Sequence, residues 1–199
     1  MASIVPRNIP IQASSSIASY SWTDVASGLG YVIFYPCLTG TAGAQAYAMI
    51  TNTIPSNSLT AVWSVGVTHN FDTTAFNSPR NIRKDSKAYI SYTGDLTAGA
   101  GNHYLTFTLK QVSQGVETTI ASTVNSTYIT SAGTTGLSVL SINKEAHFKK
   151  GDILRLTIAT GIAGAEAITL GLDPANRTVA TFPDNRSICE LYVPFVINL

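Results

Sequence analysis

The stretch Leu105-Thr106-Phe107-Thr108-Leu109-Lys110 decides the fold. Its large apolar residues occupy every second position, and smaller or polar residues stand between them. Because alternate side chains of an extended chain point to opposite faces, this pattern predicts a strand with one face buried.

The same period of two recurs along the chain. Leu154, Leu156 and Ile158 alternate with Arg155 and Thr157. Near the end, apolar residues from Cys189 to Ile197 alternate with others in the same way. Further candidate strands with strand-like composition occupy residues 31–37, 46–51, 63–67, 87–92, 116–123, 137–142 and 167–170.

Turn signals separate these segments, and no apolar residues recur at helical spacing over three turns. Examples are Ser78-Pro79, Gly94-Asp95 and Lys150-Gly151-Asp152. About nine or ten strands punctuated in this way predict an all-β, two-sheet antiparallel sandwich, most plausibly a jelly roll. An immunoglobulin-like sandwich is the alternative, but the Cys–Trp–Cys arrangement typical of it is absent from the sequence. The shared core is predicted to contain Leu105, Phe107, Leu109, Leu154, Leu156 and Ile158.

The first residues differ from the rest. Residues 1–28 are predicted to form an extended N-terminal arm and linker, and residues 29–199 the jelly-roll domain. Pro6 and Pro10 stiffen the arm. Its apolar residues suit a solvated tail poorly, so we expect them to bind another subunit; the alternative is a frayed terminus. These candidate partner-binding residues are Ile4, Val5, Ile9 and Ile11.

Composition limits the classes of partner. Hydrophobic residues make up 45% and charged residues only 12% of the chain, against about 25% charged residues in an ordinary domain. Such a surface suits permanent packing against neighbours, although abundant Thr and Ser could simply reflect strand propensity. The net charge of +1 and the absence of long basic runs argue against nucleic acid as a partner.

Targeting and membrane signals are also missing from the sequence. Residues 1–13 lack the apolar core of a signal peptide, so we expect synthesis in the cytoplasm of the producing cell. The most apolar stretch, residues 29–38, is too short to span a bilayer and contains Pro36. We therefore expect no membrane partner.

Residues that could carry chemistry are scattered. His69, His103 and His147 each lack a second ligand at metal-binding spacing. No nucleophile elbow, phosphate-binding loop or dinucleotide motif occurs, and the acidic residues give no reason to choose a catalytic pair. The sequence predicts no enzyme activity, no catalytic residues, no cofactor and no metal.

Two aromatic residues are candidate contacts with a partner. Trp22 lies in a polar context, Tyr20-Ser21-Trp22-Thr23-Asp24. Tyr192 falls on the opposite face of its strand from Leu191 and Val193. Trp22 would serve docking against a subunit or contact with a ligand such as a sugar, and Tyr192 is expected at the interface between subunits.

His147-Phe-Lys-Lys-Gly-Asp-Ile-Leu-Arg-Leu156 resembles the turn and late core strand of C1q/TNF-like jelly rolls. The similarity extends over residues 31–199. It implies a compact homotrimer whose aromatic and aliphatic side chains meet at the threefold axis. Tyr192 and Phe195 match the aromatic-rich C-terminus of that family.

A jelly roll with a proline-containing arm, low charge and no signal peptide also resembles virion proteins. These include capsid decoration proteins, head fibres and minor capsid subunits of tailed phages and related viruses. The resemblance implies a trimeric structural virion protein that contacts other capsid proteins through its arm. The alternative is a carbohydrate- or receptor-binding module of a viral fibre, with a surface glycan as its ligand.

The two cysteines test the topology. The first and last strands of a jelly roll commonly pair antiparallel. Cys37 ends the first candidate strand and Cys189 begins the last one, so we expect the two to be near neighbours. We expect reduced, buried thiols. A cross-strand disulfide would require oxidising surroundings and Cα atoms within about 7 Å of each other. The alternative is that the two cysteines fill core space at unrelated positions.

Overall fold

A computed structural model describes most of the domain. The described residues are 29–39, 46–51, 62–65, 68–96, 103–121, 124–130, 133–160, 168–178, 182 and 186–196. Within these ranges the chain forms fourteen strands and no helix. The prediction of an all-β domain is therefore confirmed.

The strands are numbered in chain order. They are β1 (Leu29–Thr39), β2 (Ala46–Thr51), β3 (Val62–Val65), β4 (His69–Thr73), β5 (Arg80–Ile82), β6 (Lys87–Leu96), β7 (Leu105–Ser113), β8 (Val116–Thr119), β9 (Val124–Asn125), β10 (Thr134–Ser141), β11 (Ala146–Phe148), β12 (Ile153–Thr160), β13 (Ile168–Gly171) and β14 (Glu190–Val196). Sequence analysis expected nine or ten strands. It missed β4, β5, β9 and β11, which span only two to five residues each and so show little or no alternation.

The strands form a sandwich of two antiparallel layers. The first layer has the order β3-β13-β6-β14-β1-β2, with β10 beside β6. The second has the order β4-β12-β7-β8, with β9 beside β7. A short parallel pairing of β2 with β4 joins the layers, and β5 and β11 form a separate small sheet. This is the predicted jelly-roll type of sandwich.

The core lies between the layers where the sequence placed it. All six predicted core residues, from Leu105 to Ile158, are fully buried. The rings of Tyr92 on β6 and Phe107 on β7 lie 5.3 Å apart, which joins the two layers. Burial of these large apolar side chains supplies the main driving force for folding.

The Lys149–Asp152 turn leads into the core strand β12. Gly151 has φ +95, a conformation that glycine adopts without steric cost. The buried Asp152 carboxylate accepts hydrogen bonds from the Lys149 backbone N at 2.9 Å and from Gln111 Nε2 at 2.8 Å. The Gly-Asp motif singled out in the sequence therefore fixes this turn against β7.

Strands β1 and β14 pair antiparallel, as predicted for the first and last strands. The register sets Phe34 opposite Leu191, which places Pro36 opposite Cys189 if continued by two residues. Cys37 is adjacent but has the opposite side-chain direction: Cys189 packs in the core cluster and Cys37 does not. Both cysteines are buried and no disulfide joins them, and a disulfide between opposite faces would require the backbone to move.

Candidate functional site

A row of apolar and aromatic side chains crosses the outer surface of the first layer. Val139 on β10 lies opposite Tyr89 on β6. Tyr89 lies opposite Tyr192 on β14, and Tyr192 opposite Ile33 on β1. Residues opposite each other on adjacent strands point to the same face. The four residues therefore form one continuous row across four strands.

Further side chains widen this row. The Tyr31 ring lies 5.8 Å from the Tyr89 ring at an angle of 50°, and its hydroxyl donates to the Lys87 carbonyl at 3.1 Å. Leu137 lies opposite Ser91, two residues from Val139 on β10 and therefore on the same face. We call the whole surface the tyrosine face; its members are Tyr31, Ile33, Tyr35, Tyr89, Leu137, Val139 and Tyr192.

The tyrosine face is most exposed at β10. Leu137 and Val139 are 59% and 38% exposed. The tyrosines are half-buried because they pack against one another and the strands beneath them. Together with the tyrosines, these two side chains form an apolar patch on the outer surface of the first layer.

One carboxylate lies at the centre of this surface. Glu190 is 12% exposed; it accepts a hydrogen bond from the Tyr192 hydroxyl at 3.0 Å, and Arg186 pairs with it at 3.5 Å. Arg186 itself is 56% exposed. The charge is thus largely compensated within the chain.

Two phenols of this face, those of Tyr35 and Tyr192, lose a proton less readily than an ordinary tyrosine because their pKa is raised. Burial, the hydrogen bond to Glu190 and its negative charge together raise the pKa of Tyr192 to about 12. Burial, and then the charge of Glu190, also raises the pKa of Tyr35. Neutral phenols can donate hydrogen bonds and stack, but they supply no general base near neutral pH.

The outer surface of the second layer has a different chemistry. Arg155 pairs with both carboxylate oxygens of Asp72, at 2.6 and 2.5 Å, and also with Glu117. Lys110 completes the group by donating to Glu117 at 2.7 Å. We call these four residues the charged face. Each charge is matched by an opposite one, so the surface has little left to offer a charged ligand.

Other features of the described ranges add no reactive centre. No group of three or more His, Cys, Asp or Glu side chains there could hold a metal ion. A cleft of about 270 Å³ lies beside Gln114 and Lys150, and the Asp152 carboxylate that lines it is already engaged by Gln111 and Lys149. None of the chain so described forms a helix long and apolar enough to cross a membrane.

Of the residues predicted to bind a partner, Tyr192 is the one that the structure describes. It lies on the outer face of β14, opposite the core residues Leu191 and Val193, as its parity predicted. The others lie outside the described residues: Ile4, Val5, Ile9, Ile11 and Trp22.

Sequence reasoning missed the other members of the tyrosine face. Tyr89 lies in a segment that was assigned as a strand, and it alternates with the buried Ala88 and Ile90. Its position between two residues that face the core could by itself have predicted that Tyr89 points outward. What the sequence could not provide is the pairing of β6 with β14 and β10, which brings Tyr89 between Tyr192 and Val139.

No protein-family model and no curated protein matches this sequence. Among solved structures, an alpha-amino acid ester hydrolase is similar with a TM-score of 0.39 and 12% identity, over 64% of this chain and 24% of that one. A CocE/NonD family hydrolase from Staphylococcus aureus is similar with a TM-score of 0.46 and 8% identity, over 84% of this chain and 37% of that one. The CBM22-1 xylan-binding domain of Paenibacillus barcinonensis Xyn10C is similar with a TM-score of 0.30 and 15% identity, over 69% of this chain and 86% of that one. The chain thus spans well under half of either hydrolase, and likeness at these scores transfers no function.

Proposed function

We propose that this protein is a non-enzymatic structural subunit that assembles as a homotrimer through its tyrosine face. The observation that carries the proposal is the in-register row from Val139 through Tyr89 and Tyr192 to Ile33. It joins half-buried aromatic residues to exposed aliphatic ones on a surface whose central carboxylate, Glu190, is paired with Arg186.

This chemistry suits a protein partner. Tyrosine and arginine are enriched at the energetic centres of interfaces, and charged residues are depleted there. A tyrosine ring adds a large contact area at low entropic cost, because it has few rotatable bonds. The low charge of the whole chain, 12% of residues, lowers the desolvation cost of covering its surface.

We further propose that the assembly is a virion, in which the trimer decorates the capsid or forms a capsid-associated subunit. The support is the apolar N-terminal arm, the low charge and the resemblance of the chain to jelly-roll virion proteins. The arm would anchor each subunit to neighbouring subunits of the assembly, after synthesis in the host cytoplasm.

The trimer is tested by placing a charge on the tyrosine face. Val139→Asp should weaken association at least about tenfold, or about 1.4 kcal/mol, because a carboxylate must then lose water on assembly. Val116 is a matched control: it is 66% exposed and belongs to the second layer. Sedimentation equilibrium should find trimers of the wild type and of Val116→Asp at micromolar concentration. A monomeric wild type would refute the proposal.

A second function is binding of a surface glycan by a viral fibre. The specific observation is the adjacent pair of rings of Tyr31 and Tyr89, since sugars stack on aromatic faces. Tyr89→Ala would then abolish glycan binding on an array of immobilised oligosaccharides. A wild-type protein that is trimeric and binds no oligosaccharide would exclude this alternative.

A further inference from the structure

Strand β10 forms an edge of the first layer. All eight of its residues, Thr134–Ser141, pair with β6 along one side. No other strand of the described chain pairs with its second side. Within the described chain, the backbone groups along that side are left for pairing with a further strand.

This edge lacks the usual protection against pairing. Its sequence, Thr-Thr-Gly-Leu-Ser-Val-Leu-Ser, contains neither a charged residue nor a proline. By contrast, β8 at the edge of the second layer has four residues, and one of them is Glu117 with its ion pairs. Edges are normally kept short or charged because exposed edges bind other strands.

The edge strand is also held in place from within. Leu140 is fully buried and Ser138 is 5% exposed. A Cβ on Gly136 would lie 2.2 Å from the Tyr92 hydroxyl, so β10 lies tightly against β6. An incoming strand would thus meet a fixed template, with Leu137 and Val139 presented on the outer face.

The N-terminal arm has the sequence of a strand that can pair on one side only. Pro6 and Pro10 are an even number of residues apart. In an extended chain, residues of equal parity direct their backbone groups to the same side, so both missing N–H groups fall on one edge. The odd residues from Val5 to Ile11 keep a complete set of donors on the other edge. Such a segment can pair with a sheet through one edge, and its other edge, which lacks two donors, then disfavours the pairing of a further strand.

The side chains of the arm match this placement. The odd residues Val5, Arg7, Ile9 and Ile11 share a face in an extended chain, so three of the four side chains on that face are apolar. Ile9 and Ile11 have the two-residue spacing of Leu137 and Val139. The arm would therefore continue the tyrosine face by one further strand.

The linker permits this contact between copies. Residues 12–28 number 17, and an extended chain of that length spans up to about 60 Å. From β1 to β10 the layer is three strand spacings wide, about 14 Å. A linker of this length is therefore long enough to reach past the edge of its own domain.

We infer that residues 4–11 of one copy pair with the free edge of β10 in a neighbouring copy. The inference rests on the proposed trimer and names the site at which the arm is received. Exchange of arms would link each subunit to the next through backbone hydrogen bonds, in addition to contacts of the tyrosine face.

Disulfide trapping in the full-length protein tests this placement. Ile9→Cys in one tagged copy is combined with Leu137→Cys, and then with Val139→Cys, in a copy of different mass. The two positions test two registers that differ by two residues and keep Ile9 on the outer face. Mild oxidation should give a cross-linked heterodimer, at least about tenfold more than with Val116→Cys, because docking raises the effective thiol concentration.

Each result decides a different point. A trimer that gives no cross-link to position 137 or 139 would overturn arm docking at β10 and leave the proposed trimer standing. In chains that carry both substitutions, cross-links that form only within a chain and not between copies would show that the arm pairs with β10 of its own domain. That result would overturn exchange. A monomeric wild type would overturn the exchange and the proposed function together.

Discussion

Asp152 is a polar residue whose substitution should destabilise the domain without touching the apolar core. Its buried carboxylate accepts hydrogen bonds from the Lys149 backbone and the Gln111 side chain at the turn before β12. Asp152→Asn should lower the free energy of unfolding by about 2 kcal/mol, since hydrogen bonds to a charged group are lost. Urea unfolding measures the change. Lys150→Ala, at an exposed position of the same turn, is the control and should change stability little.

The same carboxylate predicts acid sensitivity. Burial alone would raise the pKa of Asp152, but hydrogen bonds from Lys149, Ser113 and Gln111 hold it below its ordinary value of 3.8. Ionised Asp152 therefore stabilises the fold above that value, and the stabilisation is lost as pH falls through the lower pKa of the folded state. Urea midpoints of the wild type and Asp152→Asn should converge in acid. A constant difference down to about pH 2.5 would contradict this sign.

The cysteines should remain thiols. Burial raises the pKa of Cys37 to about 11, so little reactive thiolate exists at neutral pH. Burial also raises the pKa of Cys189. We expect iodoacetamide to label neither residue in the folded protein and both in urea, as measured by intact mass. An oxidised mass two daltons lower, with Cys37 linked to Cys189, would show that the β1–β14 register differs from the one described.

Among the strands, the fit of β10 against β6 depends on Gly136. A Cβ there would lie 2.2 Å from the Tyr92 hydroxyl, which is itself fixed by a 2.9 Å hydrogen bond with Thr127. Gly136→Ala should destabilise the protein by about 2 kcal/mol, because a fully buried tyrosine cannot move without strain. Thermal unfolding measures the loss. Ser141→Ala, on the exposed face of the same strand, should leave the melting temperature within a degree or two.

Strands with clean alternation were predictable, and short ones were not. The bounds of β2 matched the prediction of residues 46–51, and the first and last strands paired as expected. In contrast, β5 and β11 have three residues each and are strands because they pair with each other. Such pairing depends on distant sequence, which local periodicity does not report.

In the candidate site, too, local alternation predicted one feature, and pairing between distant strands determined the rest. Tyr192 was identifiable because its parity opposes a run of core residues on one strand. The row that contains it requires the register of β10, β6, β14 and β1. No local pattern specifies that strand order, so a surface assembled from four strands is visible only in the fold.

For the molecule as a whole, the two outer surfaces predict how association responds to salt. The charged face pairs its own ions, and the tyrosine face has little net charge. Trimers should therefore persist in about 1 M sodium chloride, where screening acts within about 3 Å. Sedimentation at low and high salt measures this. Dissociation by salt would show that ion pairs between subunits, rather than the tyrosine face, hold the assembly.

The pairing of β1 with β14 also governs how the domain bears mechanical load. Leu29 at the start of β1 lies opposite Val196 at the end of β14. A pull applied through these two positions acts across the strands, so their hydrogen bonds break one after another from that end. This unzipping geometry needs far less force than a shear geometry, in which all the hydrogen bonds between β1 and β14 are loaded at once. A pull directed along β1 from its far end would instead load all the bonds together, so the direction of tension sets the resistance of the subunit.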